Sequence, residues 1–350
     1  MRVCFFSGSR SEYGINNYLL RNLFLDKFIN LYFVVSGLSK SKGYGMTLQD
    51  IKKDNFKVSK NVKINIKKTS ANQVSKNFSI ILKELSRFLS KNKINLLILI
   101  GDRYETLAAA LAAYINKVPI VHIHGGEKTV DSLDDNFRHS ISKFSKLHFV
   151  SHKVYKKRLI QLGENKNDIH IVGGLGAQII KKFKFLKKKE LEKILKLKFE
   201  SEILVVNFYP ESQSNISLKN LKSRLSALNL FKNVSIIFTF PTHEIGKDIF
   251  VNEIKRFSKI RKNCHYFYNL GQKKYLSLLN ISNLLIGNSS SGILEMPSLG
   301  KYTINIGERQ KGRILSKSVI TCEANSKIIY QNIKKYKNLS NHKFKNVYYK

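Results

Sequence analysis

Residues 122–140 read HIHGGEKTVDSLDDNFRHS and hold four His or Glu and three Asp side chains in nineteen positions. That density admits a metal site, an acid/base site or a busy polar loop. His122 and His124 stand two apart, so on a strand they would share a face. A metal would need a third ligand from Glu127 or an Asp, and no HExxH-like spacing supplies it. The acid/base reading uses Glu127, Asp134 and Asp135, because a carboxylate in a partly dry cleft has a raised pKa and serves as acid or base. Gly125 and Gly126 would let the backbone approach a ligand closely. Arg138 would hold an anion or pair with Asp134. Acids at the start of a helix over 134–143 explain Asp134 and Asp135 without any function, but leave the Gly-Gly-Glu unexplained.

Three further stretches carry chemistry of the same kind. GDRYE, 101–105, puts Asp102 at the end of the apolar run NLLILI, where a carboxylate is costly unless paired or used; Arg103 is its expected partner. SGSRSEYG, 7–14, is built for a sharp turn from strand to helix, whose free N–H groups and Arg10 would meet an anion. A tight turn with a surface Arg is the plain alternative, since neither GxGxxG nor GxxxxGK[ST] is present. NSSSGILEMPSLG, 288–300, offers three hydroxyls and then a helix start, a cradle for a diphosphate. Glu295 on that helix is placed to grip two ribose hydroxyls. Arg309 and Arg313 in GERQKGR, 307–313, are candidates for phosphate or for holding the Ser loop.

Each of these stretches follows an apolar run. VCFF, NLYFVVS, VKINI, NLLILIG, VPIVHIH, KLHFVS and DIHIVG alternate with helical stretches such as 106–116, TLAAALAAYIN. The runs are mostly continuous rather than alternating, as for parallel strands buried on both faces. A second set follows: ILVVNFY, SIIFTF, CHYFYN, NLLIG and YTINI. The pattern is βαβ and predicts an α/β protein of two Rossmann-like domains around a cleft. Ligands would bind at the carboxyl ends of the strands. The expected domains are 1–173, with the acid/base residues, and 174–325, with the phosphate cradle, followed by a helix and tail over 326–350. KKFKFLKKKELEKILKLKFE, 181–200, reads as one amphipathic helix with lysines on its wet face. Two such domains, a phosphate cradle and a carboxylate cluster describe a nucleotide-sugar enzyme.

Composition bounds the partners. The 350 residues carry a formal charge of +38, which raises the question of a polyanion partner. The excess is nearly all lysine and is dispersed, without the Arg clusters and interleaved aromatics of a phosphate-reading surface. The reading is a lysine-rich composition that speeds capture of a small anion, with no nucleic acid partner. Cys4, Cys264 and Cys322 are far apart and odd in number, which excludes a disulfide framework and a zinc knuckle and fits a reducing cytoplasm. No apolar run approaches the about 20 residues of a membrane span, and none near the start suits a signal peptide. A soluble chain without membrane partner is expected.

GDRYE, HIHGGE with DDNFRH downstream, NLGQKKYLSLL, and GNSSSGILEMPSLG with NIGERQKGR closely resemble the hydrolysing UDP-N-acetylglucosamine 2-epimerases. These make N-acetylmannosamine, or a diacetamido analogue, for sialic-acid-like sugars such as legionaminic acid. The resemblance covers roughly residues 1–322; its motifs are moderately specific singly and strongly so in this order. It implies a glycosyltransferase-B-like fold, no metal and no organic cofactor, and leaves room for a homo-oligomer. It implies elimination of UDP to a glycal with a C1–C2 double bond, then addition of water. C2 loses a proton on one face and regains one on the other, so two acid/base groups are needed, each worth about 10²–10⁴-fold. The resemblance assigns Asp102, Glu127 and Asp134 to proton transfer with His124 beside them. Some relatives carry an acid where His124 stands, so His124 and Glu127 can exchange roles. It also implies substrate contacts from Arg10, Gly14, Arg103, Ser289, Ser290, Glu295 and Arg309.

Two departures stand out. Tyr209, in VVNFYPES, takes the place of a family His thought to sit near the phosphates; it can donate a hydrogen bond but cannot become a cation near neutral pH. Thr242, His243 and Glu244, in PTHEIGKD, replace a Pro-Asn-x-Asp pattern, and His243 would be the substitute imidazole. The competing readings are a non-hydrolysing 2-epimerase, a glycosyltransferase on the same fold, and a basic polyanion-binding protein.

Overall fold

The computed structural model describes residues 1–8, 10–37, 51, 55–65, 70–130, 133–210, 217–240, 247–339 and 343–350. The chain divides into two compact units, Met1–Leu175 with Lys350, and Gly176–Tyr349.

The first unit is built on seven parallel strands: β1 (Arg2–Ser7), β2 (Asn30–Ser36), β3 (Val58–Val62), β4 (Leu96–Ile100), β5 (Ile120–Ile123), β6 (Leu147–Val150) and β7 (Ile169–Ile171). Their order is β3-β2-β1-β4-β5-β6-β7. Successive side chains of a strand go to opposite faces, and both faces are apolar: Cys4 and Phe6 join one core, Val3 and Phe5 the other. Burial on both faces is why the runs are continuous rather than alternating. The helix Tyr104–Ile115 buries Ala108, Ala109, Ala110, Ala112 and Ala113. Its small side chains let the helix Ala71–Lys91 and the sheet come close.

The second unit repeats the plan with β8 (Glu202–Asn207), β9 (Val234–Thr239), β10 (Cys264–Phe267), β11 (Leu284–Gly287), β12 (Tyr302–Ile306) and β13 (Val319–Cys322). The order is β10-β9-β8-β11-β12-β13, again all parallel. In each sheet the chain order reverses once, at β1/β4 and at β8/β11. At such a reversal the loops leaving the two strands diverge and open a crevice at the carboxyl ends.

Three elements differ from the sequence reading. The third strand is VSKNV rather than VKINI; an edge strand needs only one apolar face, so its polar residues hid it. β13, VITC, was not foreseen. The stretch 181–200 holds a helix only over Lys188–Leu195, stopped at Lys196 in the left-handed region. Ahead of it Phe183 and Phe185 pack their rings together, with centroids 5.2 Å apart, against the core.

Candidate functional site

In the first unit the loops after β4 and β5 are tied together by one guanidinium. Arg138, on the helix Leu133–Phe144, is 1% exposed. Its Nη2 donates to Asp102 and, at 3.0 Å, to the Thr129 hydroxyl; its Nη1 donates to Asp135 at 2.7 Å and to the Glu127 carbonyl at 3.0 Å. This corrects two expectations. Arg138 pairs with Asp102 and Asp135, not Asp134, and its buried fork is directed at protein acceptors rather than a substrate anion. Arg103 does not pair with Asp102: it precedes the helix Tyr104–Ile115 and turns along it to grip Glu105 with two bonds of 3.1 Å. Asp102 stays one-quarter exposed while its partner is buried. A buried charge left without its partner costs about 3–5 kcal/mol, so the pair fixes the Asp102 carboxylate in place. Asp134, in the first turn of Leu133–Phe144, lies close enough to act electrostatically on Arg103.

The two histidines of HIHGGE do different things. His122 lies on β5, fully buried, with Nε2 2.8 Å from the Gly101 carbonyl and Nδ1 3.0 Å from the Ser142 hydroxyl. A carbonyl only accepts, so Nε2 carries the proton. Burial pushes the imidazole down to about 3, so it is a neutral strut under the Asp102 turn. His124 follows the strand with φ of +66°, which breaks the two-residue alternation and sends its ring elsewhere. The pair therefore does not share a face as its spacing suggested. His124 Nδ1 is 2.8 Å from Glu127 Oε1, which also accepts from the Ser151 hydroxyl at 2.9 Å. Its Nε2 accepts from the backbone N–H of Leu175 at 3.4 Å.

Gly125 and Gly126 serve packing rather than ligand approach. A Cβ on Gly125 would sit 2.9 Å from both His122 Nδ1 and the Ser142 hydroxyl, and one on Gly126, at φ +73°, 2.6 Å from the Tyr155 carbonyl. The opposite holds at Gly14. A Cβ there would meet nothing within 4 Å among the described residues. A helical glycine costs about 1 kcal/mol against alanine, and no internal neighbour requires this one. Arg10 opens the same helix, Arg10–Leu25; its side chain is not among those described.

The sequence reading passed over Glu12. Its Oε2 accepts from the Gly8 N–H at 2.7 Å. Burial pushes its carboxyl up to about 8, with Arg103 opposing and Glu105 adding to the rise. The signal was available: Ser9-Arg10-Ser11-Glu12 has the S-x-x-E spacing by which an acid reaches back over a helix start.

In the second unit Asn288 organises the Ser loop. Its side chain accepts from the Tyr209 N–H at 2.8 Å and donates to the Tyr209 carbonyl at 2.9 Å, so the loops after β8 and β11 pair through one amide. Its own carbonyl accepts from Arg309 at 3.0 Å and Gln310 at 2.9 Å. Gly287, at φ +141°, lets the strands close here: a Cβ would lie 2.0 Å from the Asn207 carbonyl. The Arg309 guanidinium lies over the Tyr209 ring, 4.8 Å from its centre. Ser289 bonds the Ser291 N–H at 3.3 Å, turning the chain into the short helix Ser291–Leu294 that Ser290 precedes.

Glu295 closes that helix, 6% exposed, and its carboxylate accepts from the Ser291 hydroxyl. Burial pushes its carboxyl up to about 8. Its Oε2 has no hydrogen-bond partner among the described residues. Tyr275, also unforeseen, stands beside Ser291 and Asn207. Thr242, His243 and Glu244 lie outside the described residues. Among the described residues no group of three His, Cys, Asp or Glu could hold a metal ion, and no helix is long and apolar enough to cross a membrane.

Residues 22–350 match the UDP-N-acetylglucosamine 2-epimerase family. The chain belongs to that family. It is 39% identical, over 93% of its length and 85% of the relative's, to a GDP/UDP-N,N'-diacetylbacillosamine 2-epimerase (hydrolyzing) of Campylobacter jejuni. It is 40% identical, over 95% of its length and 85% of the relative's, to the polysialic acid biosynthesis protein P7 of Escherichia coli. Among solved structures it is similar to the UDP-GlcNAc 2-epimerase of Methanocaldococcus jannaschii in complex with UDP-GlcNAc and UDP, with a TM-score of 0.83 at 18% identity, covering 100% of this chain and 96% of that one. The enzyme from Neisseria meningitidis bound to UDP-GlcNAc gives 0.82 at 18%, covering 99% and 96%. This likeness shows that the epimerase-family chain has the glycosyltransferase-B-like fold that the resemblance implied, with the two Rossmann-like domains of the strand pattern.

Proposed function

We propose that the chain is a hydrolysing UDP-sugar 2-epimerase that converts UDP-N-acetylglucosamine, or its 2,4-diacetamido-trideoxy analogue, and water into UDP and a manno-configured sugar. The observation that carries this reading is the Asp102–Arg138–Glu127 assembly at the reversal of the first sheet. It holds one carboxylate in place after β4, and after β5 a second carboxylate orients an imidazole. The chemistry needs two such groups. Loss of the C2 proton supplies the electrons of the C1–C2 double bond as the C1–O bond to UDP breaks. Water then adds its oxygen to C1, and C2 takes a proton on the other face. Asp102, Asp134 and the His124–Glu127 pair are the groups for these transfers.

The second unit supplies UDP binding in this reading. Glu295 takes the two ribose hydroxyls, and Ser289, Ser290 and Arg309 take the diphosphate. Tyr209, with Arg309 over its ring, offers a phenol where relatives place an imidazole. In the first unit Arg10 and Arg103 are the residues for the substrate's charge, and Gly14 leaves room for it. The similarity to the C. jejuni and E. coli proteins supports release of free UDP and a place in sialic- or legionaminic-acid type synthesis. Three free cysteines suit a reducing, cytoplasmic compartment.

The test is incubation with each donor in D₂O, following UDP and C2 by NMR. Free UDP with a C2-deuterated manno sugar from one donor supports the reading and names the donor. C2-deuterated UDP-sugar without net UDP release would make the enzyme non-hydrolysing. The absence of both UDP release and C2 exchange would refute an epimerase.

A further inference from the structure

The contacts of His124 define which of its nitrogens holds a proton. A backbone N–H only donates, so the 3.4 Å bond from Leu175 makes Nε2 the acceptor. A neutral imidazole has one N–H, which therefore sits on Nδ1 and points at Glu127 Oε1, 2.8 Å away. Glu127 is 3% exposed and Ser151 also 3%. The Ser151 hydroxyl donates to the same Oε1 at 2.9 Å, so the acceptor is fixed from two sides. The Glu127 backbone is held as well, its carbonyl by Arg138 at 3.0 Å. The Arg158 guanidinium holds the Gly126 carbonyl at 2.5 Å. The His124 N–H donates to the Phe149 carbonyl at 2.9 Å, which anchors the residue in its left-handed conformation. His124 keeps more exposed side chain than Glu127, 13% against 4%.

We infer that Glu127 and Ser151 are positioning residues, and that His124 Nε2 is the base that takes the C2 proton. The inference rests on the epimerase reading above and deepens it by separating two residues that the sequence left interchangeable. In the elimination the C2–H pair becomes the C1–C2 π bond, the proton goes to Nε2, and the C1–O pair leaves with UDP. The imidazolium so formed keeps Nδ1–H on the Glu127 carboxylate, which stabilises the new charge, as an acid behind a catalytic histidine does. The Leu175 N–H occupies the lone pair at rest. Its bond is long for N–H···N, so a substrate displaces it at low cost.

The experiment combines histidine ¹⁵N NMR, assigned with His124→Gln, and steady-state kinetics. The wild type should show His124 as the Nδ1–H tautomer without any substrate. Glu127→Gln should move the population toward Nε2–H, the form free imidazole prefers, and lower kcat about 10²–10⁴-fold with UDP affinity kept. Ser151→Ala, the milder change should Glu127→Gln fail to fold, should lower kcat about tenfold at unchanged KM. His124→Gln should lose C2 deuterium exchange. A wild-type Nε2–H tautomer overturns the inference, as does retention of exchange in His124→Gln or unchanged kcat in Ser151→Ala. If the wild type releases UDP from neither donor, the epimerase reading falls instead, and the tautomer measurement still judges the positioning.

Discussion

Glu295 sets up a proton balance that a binding experiment can count. Burial pushes its carboxyl up to about 8, so at pH 7 about one molecule in ten carries it ionised. If two ribose hydroxyls donate to it, UDP binds the ionised form. The observed affinity is then the intrinsic one scaled by that fraction. UDP should bind about tenfold tighter at pH 9 than at pH 7, with the slope approaching one decade per pH unit below 8 and flattening above. The terminal phosphate of UDP, titrating near about pH 6, is largely ionised over this range and adds little. Titration calorimetry in buffers of different ionisation enthalpy should report about 0.9 proton released per UDP at pH 7 and about 0.1 at pH 9. Glu295→Gln should abolish both the slope and the release. Binding that is flat with pH in the wild type, or equal release from Glu295→Gln, would refute ribose binding by a carboxylate that must first ionise.

Three other perturbations have defined outcomes. Asp102→Asn should abolish UDP release from a UDP-sugar while leaving the Kd for UDP within about twofold, a loss confined to the transition state; surviving turnover would remove Asp102 from proton transfer. Arg138→Met strands Asp102 and Asp135 and should cost about 3–5 kcal/mol in urea unfolding, whereas a loss under about 1 kcal/mol would mean that water replaces the guanidinium. Glu12 holds its proton in the folded state up to about pH 8, while the unfolded chain gives it up near the usual carboxylate value. Its contribution is complete at low pH and is lost as pH rises toward 8, so the wild-type Tm should fall from pH 5 to pH 8 more steeply than that of Glu12→Gln.

The sequence carried the strands most clearly where both faces are buried. LLILI and ILVV are apolar throughout and could be little else. Edge strands were less legible: VSKNV buries one side only, so a neighbouring run with stronger alternation drew attention away. Site residues were legible as types at strand ends, because a buried apolar run that stops at an Asp or a His must explain the polar group. Their partners were not. Asp102 lies one residue from Arg103 and 36 from Arg138, yet the ion pair is with the distant one. Helix direction decides that, not spacing. The two histidines of HIHGGE likewise look equivalent on paper. A single left-handed residue makes one a strut and the other an outward ring, and only backbone coordinates reveal it.

The stack of Arg309 on Tyr209 also has an optical use. The chain holds 16 Tyr and no Trp, so its native emission comes from tyrosine alone. Indole is the strongest partner for a cation over its face, and Tyr209→Trp would keep Arg309 overhead while making one indole emitter, selected from the tyrosines by exciting at the red edge of their absorption. That fluorophore would sit on the loop that Asn288 ties to the Ser segment. Nucleotide arrival could be timed in a stopped-flow mixer at that one position, without dye or label.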